Sequence, residues 1–260
     1  MIDCNPQDEL PKILSDYQVY FFDEVSSTND VFNEIAEMDT DAKICVVART
    51  QSCGRGRRRS HWVSLNGGLW FSISLRSQNP PSDAVKLTFI MGTAVVEAVH
   101  EIGIRAVLKW PNDILVDGKK LCGILSTGKV SRGVMERVII GVGLNANIDP
   151  ASFPSHLRGS VTSISYLCGH EVDLLLVLED ILNKFEVRRQ SLQSGHWLKL
   201  LQEWKHHASF LGSRIGVVSS KASIVGEAWD IEVDGSLLMK LDDGTTRKIV
   251  EGSLRLCIDN

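Results

Sequence analysis

No stretch of the 260 residues approaches the roughly 18 uninterrupted apolar residues that a membrane-spanning helix needs, so no membrane partner is expected. The opening residues, MIDCNPQDEL, carry acids and no apolar run, and read as neither a secretory signal nor a transit peptide. A basic excess is missing as well. With a net charge of −4, general coating of nucleic acid by counterion release is disfavoured, and any anion site has to be local. The cysteines Cys4, Cys45, Cys53, Cys122, Cys168 and Cys257 form no CxxC pair and have no histidine at ligand spacing, which argues against structural zinc. They read as reduced thiols acting as small hydrophobes in a cytoplasmic protein. No HExxH and no GxSxG occurs, against metallopeptidase and serine-hydrolase chemistry. Internal repeats and low-complexity tracts are absent too.

What is present is ordinary globular material. Hydrophobic residues make up 43%, enough for a real core in one large domain, with or without a small module. Val19–Phe22 reads as a short strand. Ser26-Ser27-Thr28-Asn29 then offers helix caps before the apolar stripe Val31, Phe32, Ile35 and Ala36. Ile44–Ala48 is a buried-type strand. Leu69–Leu75 alternates Phe71, Ile73 and Leu75 with Ser72 and Ser74, so a half-buried strand with one polar face is expected. After Pro80-Pro81-Ser82 a core helix is predicted from Asp83 to Glu101, stopped by Gly103. Ala106–Trp110, Ile114–Val116 and Leu121–Leu125 look like strands, the last two joined by the hairpin signal Asp117-Gly118, and Val138–Asn145 is another. Amphipathic cover helices follow over Asp173–Arg189 and through Trp197, Leu200, Leu201 and Trp204.

Without a regular βαβ alternation, these elements predict an α+β fold, a mixed or antiparallel sheet with helices packed against it. Past Gly212 the texture changes to short strands punctuated by Gly216, Gly226, Asp234-Gly235 and Asp243-Gly244, the pattern of a small all-β barrel. The expected boundary separates a domain at 1–211 from a module at 212–260.

Four constellations carry chemistry. Arg49, Arg55, Arg57, Arg58 and Arg59 crowd cations into a loop free of carboxylates, and Gly54 and Gly56 let its backbone approach a ligand; guanidinium forks suit phosphate or carboxylate oxygens. The spacing is not a Walker A loop, and a solvated basic loop is the plainer alternative. Lys109-Trp110-Pro111-Asn112-Asp113 is a polar turn between apolar strands, able to hold a magnesium ion or a ribose, or to be a simple Asx turn. Lys119-Lys120-Leu121-Cys122-Gly123-Ile124-Leu125 takes a lysine into a strand broken by glycine; Lys120 is either an anion bridge or an edge-strand charge against aggregation. Gly141-Val-Gly-Leu-Asn145-Ala-Asn147 ends a strand in amides but lacks the third glycine of a dinucleotide fingerprint.

In this order and spacing, Ser27-Thr28-Asn29, Gln51 with Gly54-Arg-Gly-Arg-Arg58, Lys109-Trp-Pro-Asn-Asp113, Lys120-Leu-Cys-Gly-Ile-Leu125 and Gly141-Val-Gly-Leu-Asn-Ala-Asn147 resemble the biotin protein ligases. The resemblance implies a class II aminoacyl-tRNA synthetase-like catalytic fold followed by an SH3-like β-barrel. It implies two steps as well: biotin and MgATP give biotinyl-5′-AMP and pyrophosphate, then a lysine of a biotin carboxyl carrier domain of a biotin-dependent carboxylase takes the biotin. Carried over, Ser27, Thr28 and Gln51 look like contacts to the ureido ring. Arg55, Gly56 and Arg57 look like the loop over biotin and phosphate, and Lys120 like the contact to carboxylate and adenylate. Lys120, Arg55 and Arg57 are the expected catalytic groups, Asn112 and Asp113 the ATP side, with Asp113 on Mg2+, and Asn145 the nucleotide contact. Asn29, Gly54, Arg58, Trp62, Lys109 and Gly123 complete the expected binding set.

Two departures stand out. The family's loop usually has an arginine where Ser60 stands, with Arg59 the candidate substitute, and Ser126 and Thr127 follow Gly-Ile-Leu where the family often has an acid. Cys122 replaces a usual alanine. The few residues ahead of the first motif imply a ligase without the operator-binding domain or repressor function of some relatives, hence without a DNA partner. A homodimer is left open. A lipoate or octanoate ligase of the same fold is the alternative enzyme, and an RNA-binding module the alternative from another class; the acidic balance argues against the latter.

Overall fold

The computed structural model describes residues 14, 16–35, 42–76, 83–131, 134–218 and 223–256. The opening decapeptide, Ala36, Pro80-Pro81-Ser82, Cys4 and Cys257 lie outside the described residues.

A seven-stranded sheet forms the centre. Its strands are β1 (Gln18–Val25), β2 (Ile44–Gln51), β3 (Leu69–Arg76), β4 (Val107–Lys109), β5 (Asp113–Val116), β6 (Lys119–Ser131) and β7 (Val134–Leu144), in the order β1-β2-β3-β7-β6-β5-β4. Helix α1 (Thr28–Ile35) connects β1 to β2, which pair in parallel with Gln18 opposite Ile44; every other neighbour pair is antiparallel. The sheet is therefore mixed, with one βαβ unit that the sequence pattern did not separate from the rest. Asp117 and Gly118 turn β5 into β6 with φ of 49° and 74°, the two positive angles a tight hairpin requires.

Helix α2 (Asp83–Glu101) has the predicted bounds and lays Phe89, Ile90, Val95 and Val99 into the core, each of which contributes about 1.5–3 kcal/mol by burial. Gly103, at φ 86°, ends it by donating to the His100 carbonyl. After the short α3 (Ile164–Cys168), α4 (Leu174–Gln193) and α5 (Trp197–His206) cover α2. Asp173 caps α4 on Leu175 and Leu176, and the Phe89 ring stacks on Trp204 with centroids 4.4 Å apart.

Three expectations need correcting. The strand with the predicted polar face, β3, has no wet face: Ser72 and Ser74 are both 0% exposed, because α1 covers one side of the sheet as α2 covers the other. Strand β6 runs well past Leu125 to Ser131 and lies between β5 and β7, so Lys120 begins an interior strand rather than an edge. Of the described cysteines, Cys45 and Cys122 are buried as expected, whereas Cys53 is exposed. Burial pushes the Cys45 thiol up to about 12.

The C-terminal strands β8 (Arg214–Val218), β9 (Ser223–Ile231), β10 (Leu237–Lys240), β11 (Thr246–Ile249) and β12 (Ser253–Leu256) form an antiparallel sheet in the order β11-β10-β9-β8-β12. The ladder leaves β11 and β12 as open edges among the described residues. This sheet packs on the first. Trp110 Nε1 donates to the Gly235 carbonyl (2.9 Å) and Trp197 Nε1 to the Val233 carbonyl (2.7 Å), and Ile215, Leu237 and Met239 share one hydrophobic cluster with Phe89 and Trp110.

Candidate active site

A cavity of about 560 Å³ opens where the start of α1, the loop after β2, and β4 to β7 converge. All the residues expected to bind ligand line it except Gly54. Gly54 instead lets the loop fold tightly: an added Cβ would strike the Trp62 carbonyl and come within 2.8 Å of Ser64 Oγ. Arg59 does not line the cavity, while Ser60 does.

One end of the cavity is neutral and polar. The Thr28 backbone N–H donates to Gln51 Oε1 (2.8 Å), and Gln51 Nε2 donates to Ser64 Oγ (2.7 Å). Asn29 lies beside Thr28, with Gly141 against its amide, and Nδ2 of Asn29 is buried without a hydrogen-bond partner. Trp62 lies across β6 and β7 on two paired glycines: a Cβ on Gly123 would stand 2.9 Å from its ring and one on Gly143 2.6 Å. Its Nε1 is also buried and unpartnered.

The other end is cationic. Arg57 Nη1 donates to Asn112 Oδ1 (3.3 Å) and to the Gly252 carbonyl of the C-terminal sheet (3.2 Å). Arg55 reaches back toward the neutral end instead and pairs with Asp30 in the first turn of α1 (2.7 Å), so the loop that contains no carboxylate takes one from elsewhere. Lys120 Nζ sits 2.7 Å from Asp113 Oδ1, and Lys109 lies opposite Asp113 in the β4–β5 ladder. Burial pulls the Arg57 guanidinium below its usual range, and Arg58 adds to the effect against Asp113 and Glu251. Lys109 is lowered for the same reason, burial first, then Lys120 and Arg255 against the opposing pull of Asp113. Two cations are thus held where their charge is disfavoured, a state that an arriving anion relieves. Arg58 and Arg59 have φ of 54° and 62°, left-handed angles costing roughly 1–3 kcal/mol each in a non-glycine residue.

Buried polar atoms in folded proteins are nearly always paired, so the unpaired Asn29 Nδ2, Trp62 Nε1 and Asn145 Oδ1, all on cavity residues, mark a site shaped for a ligand. The descriptions of known proteins agree. The chain is 32% identical over 247 residues to the bifunctional ligase/repressor BirA of Bacillus subtilis, covering 94% of this chain and 75% of that protein. The chain belongs to the biotin/lipoate A/B protein ligase family. The model of that family matches residues 21–145. The biotin protein ligase of Aquifex aeolicus, solved in complex with biotin and ATP, superposes with a TM-score of 0.78 at 26% identity, covering 93% of this chain and 99% of that one. The biotin–[acetyl-CoA-carboxylase] ligase of Paracoccus denitrificans is 28% identical over 205 residues, 75% of this chain and 83% of that one.

In this family member several amides of the motifs serve the backbone. Asn112 Nδ2 donates to the Ile124 carbonyl (2.6 Å), and Asn147 exchanges two hydrogen bonds with Val172. Asn145 Nδ2 donates to the carbonyls of Lys120 and Thr162, which leaves only Oδ1 for a ligand. Sequence reasoning missed Asp30, Ser64 and Ser72. The nearness of Gly252 to Arg57 had no sequence signal at all, since 195 residues separate them.

Proposed function

We propose that the chain activates biotin with MgATP as biotinyl-5′-AMP and then passes the biotinyl group to a lysine of a biotin carboxyl carrier domain. The observation that carries this reading is the polarity of one continuous cavity, with neutral amides and hydroxyls at Thr28, Asn29 and Gln51 and cations at Arg57, Lys109 and Lys120. Biotin has the matching ends, a neutral ureido ring and a carboxylate. A lipoate or octanoate chain offers the unpaired Asn29 amide nothing to bond.

In the first step a carboxylate oxygen attacks the α-phosphorus and pyrophosphate leaves. Carboxylate and triphosphate repel each other, and Lys120, Arg55 and Arg57 offset that repulsion as further negative charge develops in the transition state. The arginine loop roofs the mixed anhydride and excludes water from it. In the second step the carrier's amine attacks the acyl carbon, AMP leaves with the carbon–oxygen bond pair, and the amine gives up a proton. No nucleophile of the ligase is needed, only positioning.

Magnesium enters as the counter-ion of the triphosphate. No group of three or more His, Cys, Asp or Glu side chains that could hold a metal is found among the described residues. Asp113, whose Oδ1 faces Lys120, is the carboxylate of the cavity that would hold a phosphate-bound cation, which would supply further positive charge to the triphosphate. In this reading residues 1–211 are the catalytic domain, 212–260 an SH3-like module, and the partner a carrier domain rather than DNA or a membrane. A cytoplasmic location belongs to the same reading; among the described residues no helix is long and apolar enough to cross a membrane. The test is a mass increase on a purified carrier domain incubated with this chain, biotin and MgATP. ATP–pyrophosphate exchange that proceeds equally without biotin overturns the reading.

A further inference from the structure

Ser72 sits in β3 with its side chain fully buried, and it does not line the cavity. Its hydroxyl touches two residues of α1, Asn29 Oδ1 at 2.6 Å and Thr28 Oγ1 at 2.7 Å. A hydroxyl carries one proton and an amide oxygen only accepts, so Ser72 donates to Asn29 and accepts from Thr28. That order determines what faces the ligand. The Thr28 proton is spent on Ser72, which is nearer than Gln51 Oε1 at 3.2 Å, leaving Thr28 Oγ1 with lone pairs to offer. Asn29, its oxygen held by Ser72, is left with Nδ2 buried and unpaired. Gln51 is held as well, with Oε1 accepting from the Thr28 N–H and Nε2 donating to Ser64.

We infer that Ser72 sets the hydrogen-bond polarity of the neutral end, so that Asn29 donates and Thr28 accepts side by side, the complement of the C=O and N–H of a cyclic urea. Ser72 is thus a positioning residue for ring recognition, and the inference rests on the biotin reading above. A donor left unpaired in a buried site has a desolvation cost that only an acceptor on the ligand removes, so polarity here is selective.

The test compares biotin with its guanidino analogue, in which a nitrogen that is protonated at neutral pH and therefore only donates replaces the urea oxygen, by calorimetric titration of the full chain. The native chain is expected to prefer biotin by about 100-fold or more, since a site built for one hydrogen-bonding group rejects its reverse. Ser72→Ala frees the Asn29 amide to rotate. It is expected to weaken biotin about tenfold and to shrink the preference below about tenfold, with the KM for ATP unmoved and Ser72→Cys intermediate. If Ser72→Ala melts early, Asn29→Asp asks the same question, because it replaces the donor by an acceptor and is expected to shift preference toward the guanidino analogue. Equal weakening of both ligands in Ser72→Ala, a native chain that binds the two alike, or an Asn29→Asp variant that keeps the preference for biotin overturns the inference and leaves the ligase reading standing. A native chain that binds neither ligand and shows no biotin-dependent exchange overturns both.

Discussion

Lys120 Nζ stands 2.7 Å from Asp113 Oδ1, and the same ammonium lies 4.9 Å from the centre of the Trp62 ring. Side-chain exposures of 31% and 22% leave the ion pair partly screened, and such pairs contribute roughly 0–1 kcal/mol to folding. The pair is therefore a weak clasp that a substrate carboxylate or phosphate can replace. Lys120→Ala is expected to lower biotin-dependent ATP–pyrophosphate exchange by about 100-fold or more while the melting temperature moves by no more than about 2–4 °C. Native exchange rates in the folded variant would remove Lys120 from the chemistry.

Much of this site was legible in the sequence because its chemistry is local in the chain. Gln51 to Trp62, Lys109 to Asp113 and Lys120 to Gly123 are short runs whose residue types and order point to one anion-binding cleft, and all three meet there. Helix α2 was legible to its ends because Asp83 and Gly103 bracket a sustained apolar run. What escaped depended on tertiary cover. Ser72 alternates with apolar neighbours as a wet face would, and only α1 lying over that face makes it a buried relay. Lys120 passed for an edge residue because strand order cannot be read from a strand's own pattern; β5 follows a hairpin back onto β6 and places it inside.

The arginine loop is tethered at both shoulders, Arg55 on Asp30 and Arg57 on Asn112 and Gly252. Just beyond Arg57, Arg58 and Arg59 keep left-handed backbones. The bonds after these two arginines are expected to be the first that trypsin cuts. Biotin with a non-hydrolysable ATP analogue, each at about 100 times its Kd, is expected to slow that cleavage more than about tenfold. Identical digestion with and without ligands would show that the loop does not order over them.

Away from the cavity, Glu186 on α4 is 5% exposed; it accepts from Tyr17 Oη (2.5 Å) and pairs with Arg189 (2.6 Å) and Lys43 (3.2 Å). Burial works to raise its pKa, but the hydrogen bonds from Arg189 and Tyr17 and the charges of Arg189 and Lys43 prevail and hold the carboxyl below its usual value near 4.5. A folded-state pKa that is depressed contributes stability above the unfolded value, and that contribution is lost as pH falls through the folded one. Glu186→Gln breaks a largely buried pair and is expected to cost about 3 kcal/mol, a fall of roughly 6–12 °C in Tm at neutral pH. The gap between native and variant melts is expected to narrow as pH drops below about 4.5 and to be smallest near pH 2. A gap independent of pH would mean that packing, not the carboxylate, accounts for the loss.

The C-terminal sheet meets the rest through Trp110 and Trp197, whose indole N–H groups donate to the carbonyls of Gly235 and Val233, and through a hydrophobic cluster shared without a break. Were residues 212–260 a tethered accessory, a chain ending at 211 would melt and catalyse like the whole. Two buried indole donors would instead lose their acceptors, each costing about 1–3 kcal/mol, and the apolar surface under Ile215, Leu237 and Met239 would meet water. Arg57 would lose the Gly252 carbonyl as well, and with it one tether of the loop that covers the anion site. The shortened chain is therefore expected to melt at least about 10 °C lower, or to aggregate, and any soluble fraction to show a raised KM for ATP. A truncated chain with native Tm and native exchange would show that the shared core adds nothing to the catalytic unit.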